Sequence, residues 1–476
     1  MHSHGPNSSS VTDRRFGRRS LIKAIGAGAA AVSFSTLTQG VARAEEEMFI
    51  DAIIIGAGYA GGTVARDLAR KGMSSLVLEA KDRIGGRIFT GSWAGESVEI
   101  GGQWVAAQHN LVNAELTRYG IKTYMDPEPN RVMVADGTAG AIKAVTPTEA
   151  TNILKPLWTE FYKGSEQYFE RPNTPLYRKD LLAAVDPLTL ADRFKQMGLA
   201  ATDLAQLTGE AAVYSGGSSS LGSLTGMAQW YQLSGGTYES YSTLIGRRPE
   251  GGMTRLLQSM ITESKATVRF NSPVAKVTDS GSRVVVETTA GRRYAARVVI
   301  VCTAVNVWKN ITFAPGLPKA HTQLMTQGMD VPHGTKMWLQ IKGSKVDATT
   351  GTAPEGSGIL MMVPQKQLAD RRLMIAFPGP GLNVNDPAAV QAAVRQWIPG
   401  AEVLESRAME WAKDPYTGSW GYRKVNQLLQ TFPQIEQPHG RILFAGADIA
   451  HGWHGAFIEG AVESGKRAAK QALALA

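Results

Sequence analysis

The chain has 476 residues, which is enough for two or three domains. Hydrophobic residues make up 43% of it and charged residues 19%, a composition that excludes a disordered or fibrous protein. Its formal charge of +9 is uneven, because residues 1–44 hold six basic side chains against Asp13 and the remainder carries only +4. A net charge this close to zero on the residues after 44 gives little reason to expect a nucleic-acid partner. The single cysteine, Cys302, excludes an intrachain disulfide and a cysteine-based metal site, and we expect no metal.

The first 44 residues are predicted to be a secretory signal. A basic start leads into a weakly apolar stretch and then into Ala42-Arg43-Ala44, a small-x-small cleavage pattern. The run that starts at Arg18 and Arg19 is similar to a twin-arginine signal, which exports proteins already folded around a cofactor. We therefore expect a precursor folded in the cytoplasm, a periplasmic protein that begins near Glu45, and no stable membrane insertion. The alternative is a disordered basic tail.

The body opens with a predicted βαβ unit. The apolar run Phe49–Ile55 predicts a buried parallel strand, and a glycine-rich turn then leads through a helix to a second strand that ends at Glu79. The turn has the spacing GxGxxG, and the acid follows 23 residues after the first glycine. Gly56 and Gly58, the first two glycines of the motif that Gly61 completes, would let the backbone approach a pyrophosphate at the helix amino terminus, and Glu79 would accept hydrogen bonds from a ribose.

The remaining pattern indicates a mixed α/β fold. We expect mainly helices over residues 110–240, with a polar, flexible loop from Ser215 to Gly226. Because strand–helix alternation returns late in the chain, we predict a discontinuous, doubly wound nucleotide-binding domain of residues 45–115, 245–305 and 415–476. A substrate-binding domain of sheet plus helices, residues 116–244 and 306–414, would be inserted into it. Further predicted strands lie within 267–302, 336–342, 375–377 and 441–448, before a carboxy-terminal helix.

Four segments resemble the flavin-containing amine oxidase family, which includes the monoamine oxidases. Arg83-Ile84-Gly85-Gly86-Arg87 is the first, and Glu99-Ile100-Gly101-Gly102-Gln103-Trp104-Val105 looks like the family's glycine-tryptophan segment beside the flavin. The segment 440–448 looks like the late strand with its ribityl contact, and 460–465 like the helix whose amino terminus faces the flavin ring. The resemblance extends from about residue 49 to the carboxyl terminus, and its general look is that of bacterial nicotine and pseudooxynicotine oxidases.

The resemblance implies a Rossmann-like FAD-binding domain. It also implies noncovalent FAD, because the covalent branch carries a cysteine where this chain has Ser419. Asp448 stands where the family usually has Glu, and its shorter side chain can still accept a hydroxyl hydrogen bond. The residues expected to contact the cofactor are Gly56, Gly58, Ala60, Gly61, Glu79, Ala80, Arg83, Gly86, Arg87, Gly102, Gln103, Trp104, Val274, Gly446, Asp448, Ala461 and Val462.

The resemblance also implies the catalytic residues. Lys336 matches the lysine that holds a water against flavin N5, and period-2 alternation puts it on one strand face with Trp338 and Gln340. Trp420 and Phe457 match the aromatic cage, which guides the amine lone pair towards the flavin and excludes water. From the residues alone, the alternatives are a solvated lysine at a strand end and aromatics that pack in a core. His451 and His454 are candidates for lining the pocket.

The function implied is oxidation of the C–N bond of a small amine, an alkaloid such as nicotine or pseudooxynicotine among the candidates. A hydride passes to flavin, the imine gives an aldehyde or ketone, and dioxygen or a periplasmic electron carrier is the acceptor. An L-amino-acid oxidase is the alternative, but it needs an arginine for the substrate carboxylate, and Arg178, Arg247, Arg248 and Arg423 are unassigned. A binding module like the GDP-dissociation inhibitors and a nicotinamide-only dehydrogenase are further alternatives. The amine, the acceptor and the oligomeric state, a homodimer included, stay open.

Overall fold

The computed structural model describes residues 49–137 and 140–475, so the predicted signal lies outside the described residues. Within them the strands, in chain order, are β1 (Phe49–Ile55), β2 (Ser75–Leu78), β3 (Thr90–Trp93), β4 (Glu96–Glu99), β5 (Thr123–Met125), β6 (Arg131–Ala135), β7 (Ile142–Val145), β8 (Arg247–Pro249), β9 (Thr267–Arg269), β10 (Val274–Asp279), β11 (Val284–Thr288), β12 (Arg293–Val301), β13 (Thr312–Ala314), β14 (Thr335–Lys342), β15 (Thr349–Thr352), β16 (Ile359–Gln367), β17 (Arg371–Pro378), β18 (Val403–Glu410) and β19 (Ile442–Phe444).

The helices cover the faces of the sheets and join their strands. In chain order they are α1 (Tyr59–Ala69), α2 (Asn110–Arg118), α3 (Pro147–Tyr162), α4 (Ser165–Tyr168), α5 (Lys179–Val185), α6 (Leu190–Met197), α7 (Ala201–Ser215), α8 (Leu224–Ser234), α9 (Tyr238–Ser242), α10 (Gly252–Ser264), α11 (Lys319–Gln327), α12 (Pro387–Trp397), α13 (Gln427–Thr431) and α14 (Ile458–Leu475). Among the described residues, no helix is both long enough and apolar enough to cross a membrane.

The first sheet has the order β13-β10-β11-β12-β1-β2-β9, and β19 pairs with the last residues of β12. Strands β19, β12, β1, β2 and β9 are parallel, so their carboxyl ends meet at one edge, where ligands bind in this class of sheet. Helices α1, α10 and α14 cover one face through apolar contacts with Ala52 and Ile54, and a second core covers the face of Ile53 and Ile55. Burial on both faces explains why β1 is apolar from Ala52 to Ile55. The predicted βαβ unit is confirmed.

The second sheet has the order β18-β14-β17-β16-β15-β6-β7. Met337 and Leu339 of β14 pack with α12 residues such as Val394, whereas Trp338 packs on the other face near Trp93. The predicted alternation along β14 is therefore confirmed. Because both faces are covered, this strand also buries the polar residues of its second face.

Residues 110–240 are mainly helical, as predicted, but the described part of this region also contains three strands and its polar loop is held by hydrogen bonds. Strands β5, β6 and β7 interrupt the predicted helical region, because they pair with each other or with β8 and β15 far along the chain. The predicted flexible loop is short and tied down: Ser215 ends α7, Ser223 caps α8, and both side chains are buried. Ser219 between them donates to the Glu355 carboxylate. Polar composition alone does not distinguish such a bonded turn from an exposed loop.

Apart from β13, the strands of the first sheet come from the three segments predicted to bind the nucleotide. All strands of the second sheet come from the two segments predicted to form the substrate domain. The division into domains itself stays a prediction. The mixed α/β fold class agrees with the sequence, because a parallel sheet covered by helices is joined to a second, mainly antiparallel sheet with its own helices.

Candidate active site

A cavity of about 410 Å³ lies at the carboxyl edge of the first sheet and extends to the second. Most of the predicted site residues line it. They are Gly56, Gly58, Ala60, Glu79, Ala80, Gly86, Arg87, Gly102, Gln103, Trp104, Val274, Lys336, Trp420, Gly446, Phe457 and Ala461. The tertiary structure thus brings segments from both sheets to one cavity.

Four predicted cofactor contacts, Gly61, Arg83, Asp448 and Val462, are not among the lining residues and support the wall from behind. Val462 is in the core between α14 and the first sheet. Arg83 donates to the backbone oxygens of residues 84, 86 and 88, which fixes the loop that carries the double glycine. The contact of these four residues with the cofactor stays a prediction, and in the structure Arg83 acts on the double-glycine loop.

The glycine turn after β1 is built for close backbone approach. Gly56 has φ of +105°, a conformation that favours glycine, and a Cβ on Gly61 would lie 2.0 Å from the Gly56 oxygen. Helix α1 then begins behind Gly58, whose lack of a side chain leaves the helix end without a side-chain cap. The backbone N–H groups of this first turn are the donors that bind phosphate at helix amino termini.

Glu79 follows β2 at the same edge. One of its oxygens accepts from the Ala57 backbone N–H at 2.8 Å and the other from that of Lys81 at 2.9 Å. Burial raises the pKa of this carboxyl, and the two backbone hydrogen bonds oppose the rise. Each carboxylate oxygen has a further lone pair, so Glu79 can hold both loops and still accept from a ribose hydroxyl.

Arg87 and Asp448 form an ion pair at the wall, with 2.8 Å between Nη1 and Oδ1. The other Asp448 oxygen accepts from the Val305 backbone N–H at 3.1 Å. Asp448 therefore orients an arginine that lines the cavity, and its expected contact with a cofactor hydroxyl stays a prediction. The guanidinium group of Arg87 also donates to the Ser419 backbone oxygen at 3.4 Å.

The donor set fits a dinucleotide flavin. The hydroxyls of Thr303 and Thr417 and the amide nitrogen of Gln103 are buried without a hydrogen-bond partner in the protein, and all three residues line the cavity. Buried polar groups are rarely left without a hydrogen-bond partner, so a polar ligand in the cavity would supply partners for these atoms. Backbone donors at α1, the carboxylate of Glu79 and these side chains are the groups that a pyrophosphate, a ribose and a flavin require.

Lys336 projects from β14 into the junction between the sheets. Its amino group donates to the Gly101 backbone oxygen at 2.8 Å and to Gln103 Oε1 at 2.5 Å. Burial lowers the pKa of Lys336 to about 7, and the nearby Glu99 carboxylate opposes that shift. The alternative of a solvated lysine at a strand end is wrong, because only 5% of the residue is exposed.

Aromatic rings line the end of the cavity near Lys336. Trp420 donates its indole N–H to the Tyr214 backbone oxygen at 3.1 Å, and its ring lies 6.3 Å from that of Phe377, edge to face. Phe377 in turn lies 6.4 Å from Trp104. Trp420, Phe377 and Trp104 therefore form one aromatic wall of the cavity.

Phe457 is held by a separate aromatic group. His109, Trp230 and Trp453 pack edge to face against it with ring centroids 5.3, 5.0 and 4.8 Å away. Burial lowers the pKa of His109 to about 3, so this imidazole is neutral at physiological pH. The two predicted cage residues are thus supported by different parts of the chain and both face the cavity.

Several lining residues have no motif that identifies them in the sequence. Tyr214, Met361 and Phe377 are single apolar positions on α7, β16 and β17, and such positions usually pack in a core. His451 and His454 are not among the lining residues, which favours a structural role, the alternative to lining the pocket. His451 pairs with Glu436 at 2.7 Å, and His454 is buried behind the cavity.

No thiol stands at position 419, where a covalently bound flavin is expected to need one. Ser419 is buried there, and its hydroxyl faces Gly334. Cys302, the single cysteine of the sequence, follows β12, and its backbone oxygen lies against the glycine turn. Burial raises the pKa of this thiol, which keeps it protonated and unreactive.

Comparison with known proteins gives one consistent result. The family model described as flavin containing amine oxidoreductase matches residues 59–473. The chain is 31% identical to nicotine dehydrogenase of Pseudomonas putida, over 97% of this chain and 98% of that protein. It is 30% identical to pseudooxynicotine dehydrogenase of a Pseudomonas species, over 94% and 92%. A solved structure of a putrescine oxidase variant superposes with a TM-score of 0.78 at 22% identity, over 90% of this chain and 99% of that one, which shows the fold.

Proposed function

The chain belongs to the flavin-containing amine oxidoreductase family, and from that premise we propose that it oxidises the C–N bond of a small amine that carries a ring and a single positive charge at neutral pH. Amines of the class of nicotine and pseudooxynicotine meet this description. The family makes the chain a flavoenzyme, which leaves the alternatives of a binding module and a nicotinamide-only dehydrogenase without support. FAD is the flavin that the dinucleotide site favours.

The observation that carries the proposed substrate class is the composition of the cavity around Lys336. Trp104, Tyr214, Phe377, Trp420 and Phe457 line it there. Among the described lining residues, the charged side chains are Lys336 and, at the nucleotide end, Glu79 and Arg87. A ring gains dispersion and edge-to-face contacts in such a site, whereas a second ammonium group would find no carboxylate among the described lining residues at the aromatic end.

The alternative of an L-amino-acid oxidase needs a free arginine at the same end. Arg247 donates to backbone oxygens and to Asn113, Arg248 pairs with Asp126, and Arg423 donates to Gln229. Arg178 pairs with nearby acids, and none of these four arginines is among the lining residues. The site therefore favours an amine without a carboxylate.

We assign the chemical roles as follows. A bound flavin supplies the hydride acceptor. Trp420 and Phe457 hold the amine between their faces and keep water from it, which favours the neutral amine that can lose a hydride. Lys336 Nζ, held by Gly101 and Gln103, holds a water at this position and, because its pKa is about 7, exchanges a proton near neutral pH. Water hydrolyses the released imine to an aldehyde or ketone.

The physiological acceptor is dioxygen or an electron carrier, and both fit a protein exported to the periplasm. The support for export is the twin-arginine pattern at Arg18 and Arg19, with cleavage after Ala44. Because that route carries folded proteins, the flavin would be bound before export.

The test is anaerobic reduction of the bound flavin by a panel of amines in a rapid-mixing spectrometer. Nicotine-type amines should reduce it fastest, short aliphatic monoamines more slowly, and diamines and L-amino acids slowest. Reduction that is fastest with putrescine or an L-amino acid would contradict the proposed substrate class. Reoxidation by air, with peroxide detected, or by a dye or cytochrome alone then distinguishes the two acceptors.

A further inference from the structure

A buried carboxylate outside the assigned site holds one of the cavity rings. Trp104 donates its indole N–H to Asp126 Oδ2 at 2.8 Å. Arg248 Nε lies 2.5 Å from Asp126 Oδ1, and Gln365 donates to Oδ2 at 3.3 Å. Asp126 is 9% exposed, so each of these contacts is made largely away from water.

The three partners of Asp126 come from separate parts of the fold. Trp104 follows β4, Arg248 lies on β8, and Gln365 lies on β16 of the second sheet. Asp126 itself follows β5, and the β5–β8 ribbon places it beside Arg248. Tyr124 of the same ribbon covers the Arg248 guanidinium, 4.9 Å from the ring centroid. The arginine compensates the buried negative charge of Asp126, whereas an isolated buried carboxylate would have no such compensation.

Trp104 is a member of the aromatic wall that lies close to Lys336. The Lys336 amino group lies 5.8 Å from the centre of its ring. An indole side chain turns about two torsions, and a wide cavity does not by itself select one orientation. A charge-assisted hydrogen bond to its single N–H selects one, because the rotated ring would leave a buried donor unpaired.

We propose that Asp126 is a positioning residue: through the indole N–H of Trp104 it sets the orientation of the aromatic wall, and thereby favours amines whose ring reaches that wall. The inference rests on the proposed function and adds a specificity determinant to it. A short aliphatic amine is oxidised at the same place without contacting Trp104, so its affinity depends little on Asp126.

The test compares the dissociation constants of a nicotine-type amine and a short aliphatic amine, measured by anaerobic calorimetry on the holoenzyme with its flavin reduced beforehand, so that no oxidation of the amine follows binding. Asp126→Asn keeps the shape of the side chain, but one amide oxygen cannot serve both Trp104 and Arg248. We expect the preference for the ring-bearing amine to fall about 10-fold, the effect of one charge-assisted hydrogen bond. The control Asp136→Asn, at an exposed carboxylate paired with Lys143, should leave the preference unchanged.

A double-variant cycle shows whether the effect passes through Trp104. Trp104→Phe keeps an aromatic ring and removes the donor, so it should lower the preference alone, and Asp126→Asn should add nothing in that background. A further, full-sized loss in the double variant would overturn the proposal. If Asp126→Asn fails to hold flavin, Trp104→Phe alone decides, and an unchanged preference overturns the proposal.

A spectroscopic readout keeps this test separate from the proposed function. In a spectrum of ¹⁵N-labelled indole groups, the Trp104 signal is the one absent from Trp104→Phe. It should shift in Asp126→Asn and stay in place in Asp136→Asn. If the parent enzyme is reduced by no ring-bearing amine, the proposed function fails, and an unmoved Trp104 signal would then also overturn the role of Asp126.

Discussion

The amino group of Lys336 and the side-chain oxygen of Gln103 are 2.5 Å apart, a hydrogen bond that joins the second sheet to the glycine-tryptophan segment of the cavity wall. Gly101 accepts from the same amino group at 2.8 Å. Lys336 therefore cannot move without the loop that lines the flavin cavity. This geometry makes the lysine the most informative single residue to change.

Lys336→Met should retain the fold and the bound flavin, because the two side chains have similar length. Flavin reduction by amine, or reoxidation by the acceptor, should slow by ~10²–10³-fold, as for the loss of one well-placed polar group. Rapid-mixing spectra distinguish the two half-reactions. Lys342→Met, at the exposed end of the same strand and paired with Glu402, is the matched control and should react like the parent. Parent rates in both variants would contradict a catalytic role for Lys336.

Stability should depend on pH through the same lysine. The pKa of Lys336 is about 7 in the folded protein, below the ~10.4 of an unfolded lysine, so between these values the unfolded chain binds more protons. Stability due to this group therefore rises with pH across that window. The melting temperature of the parent relative to Lys336→Met should increase from about pH 7 to about pH 9. A difference in melting temperature that stays constant with pH would show that burial does not lower the pKa of Lys336.

The flavin should be released by denaturation, because Ser419 offers no thiol near the site and Cys302 is buried beside the glycine turn. Acid precipitation should leave free yellow flavin in the supernatant and a colourless pellet. Cys302→Ala should release the same amount per mole of protein. Colour that stays with the pellet would contradict noncovalent binding.

Trp420→Ala should affect only the half-reaction that involves the amine. Loss of one ring of the cage removes contacts with the substrate, so affinity and reduction rate should both fall, by about 10-fold or more. Reaction of the prereduced enzyme with dioxygen should stay near the parent rate. Tyr177→Ala, an exposed tyrosine that stacks on Arg171 and does not line the cavity, is the control. Equal losses in both half-reactions would point to a structural role for Trp420.

Replacement of Arg18 and Arg19 by lysine should trap a folded, yellow precursor in the cytoplasm, because the twin-arginine pair identifies the export route. Amino-terminal sequencing of the exported parent should begin near Glu45. An intact Met1 on periplasmic protein would contradict cleavage, and unimpaired export of the lysine variant would contradict the route.

The sequence by itself determined the nucleotide end of the cavity. Strand β1, the glycine turn and Glu79 could be predicted because their constraints are local: only glycine adopts the backbone of Gly56 readily, and only glycine fits at Gly61. Lys336, Trp420 and Phe457 reach the same cavity, but they were identifiable only by resemblance, since a lysine in a strand and single aromatics carry no local signal.

Only the tertiary structure decided which side chains support that cavity. The carboxylate of Asp448 orients Arg87, a contact that neither motif indicates by itself. Phe377 joins Trp104 to Trp420, and Asp126 holds Trp104, through contacts between residues far apart in the chain. The pattern of a single strand or helix specifies its own buried face, whereas the partner across that face depends on how strands pair and sheets pack. Hydrogen bonds and ring contacts of this kind therefore come from the assembled fold.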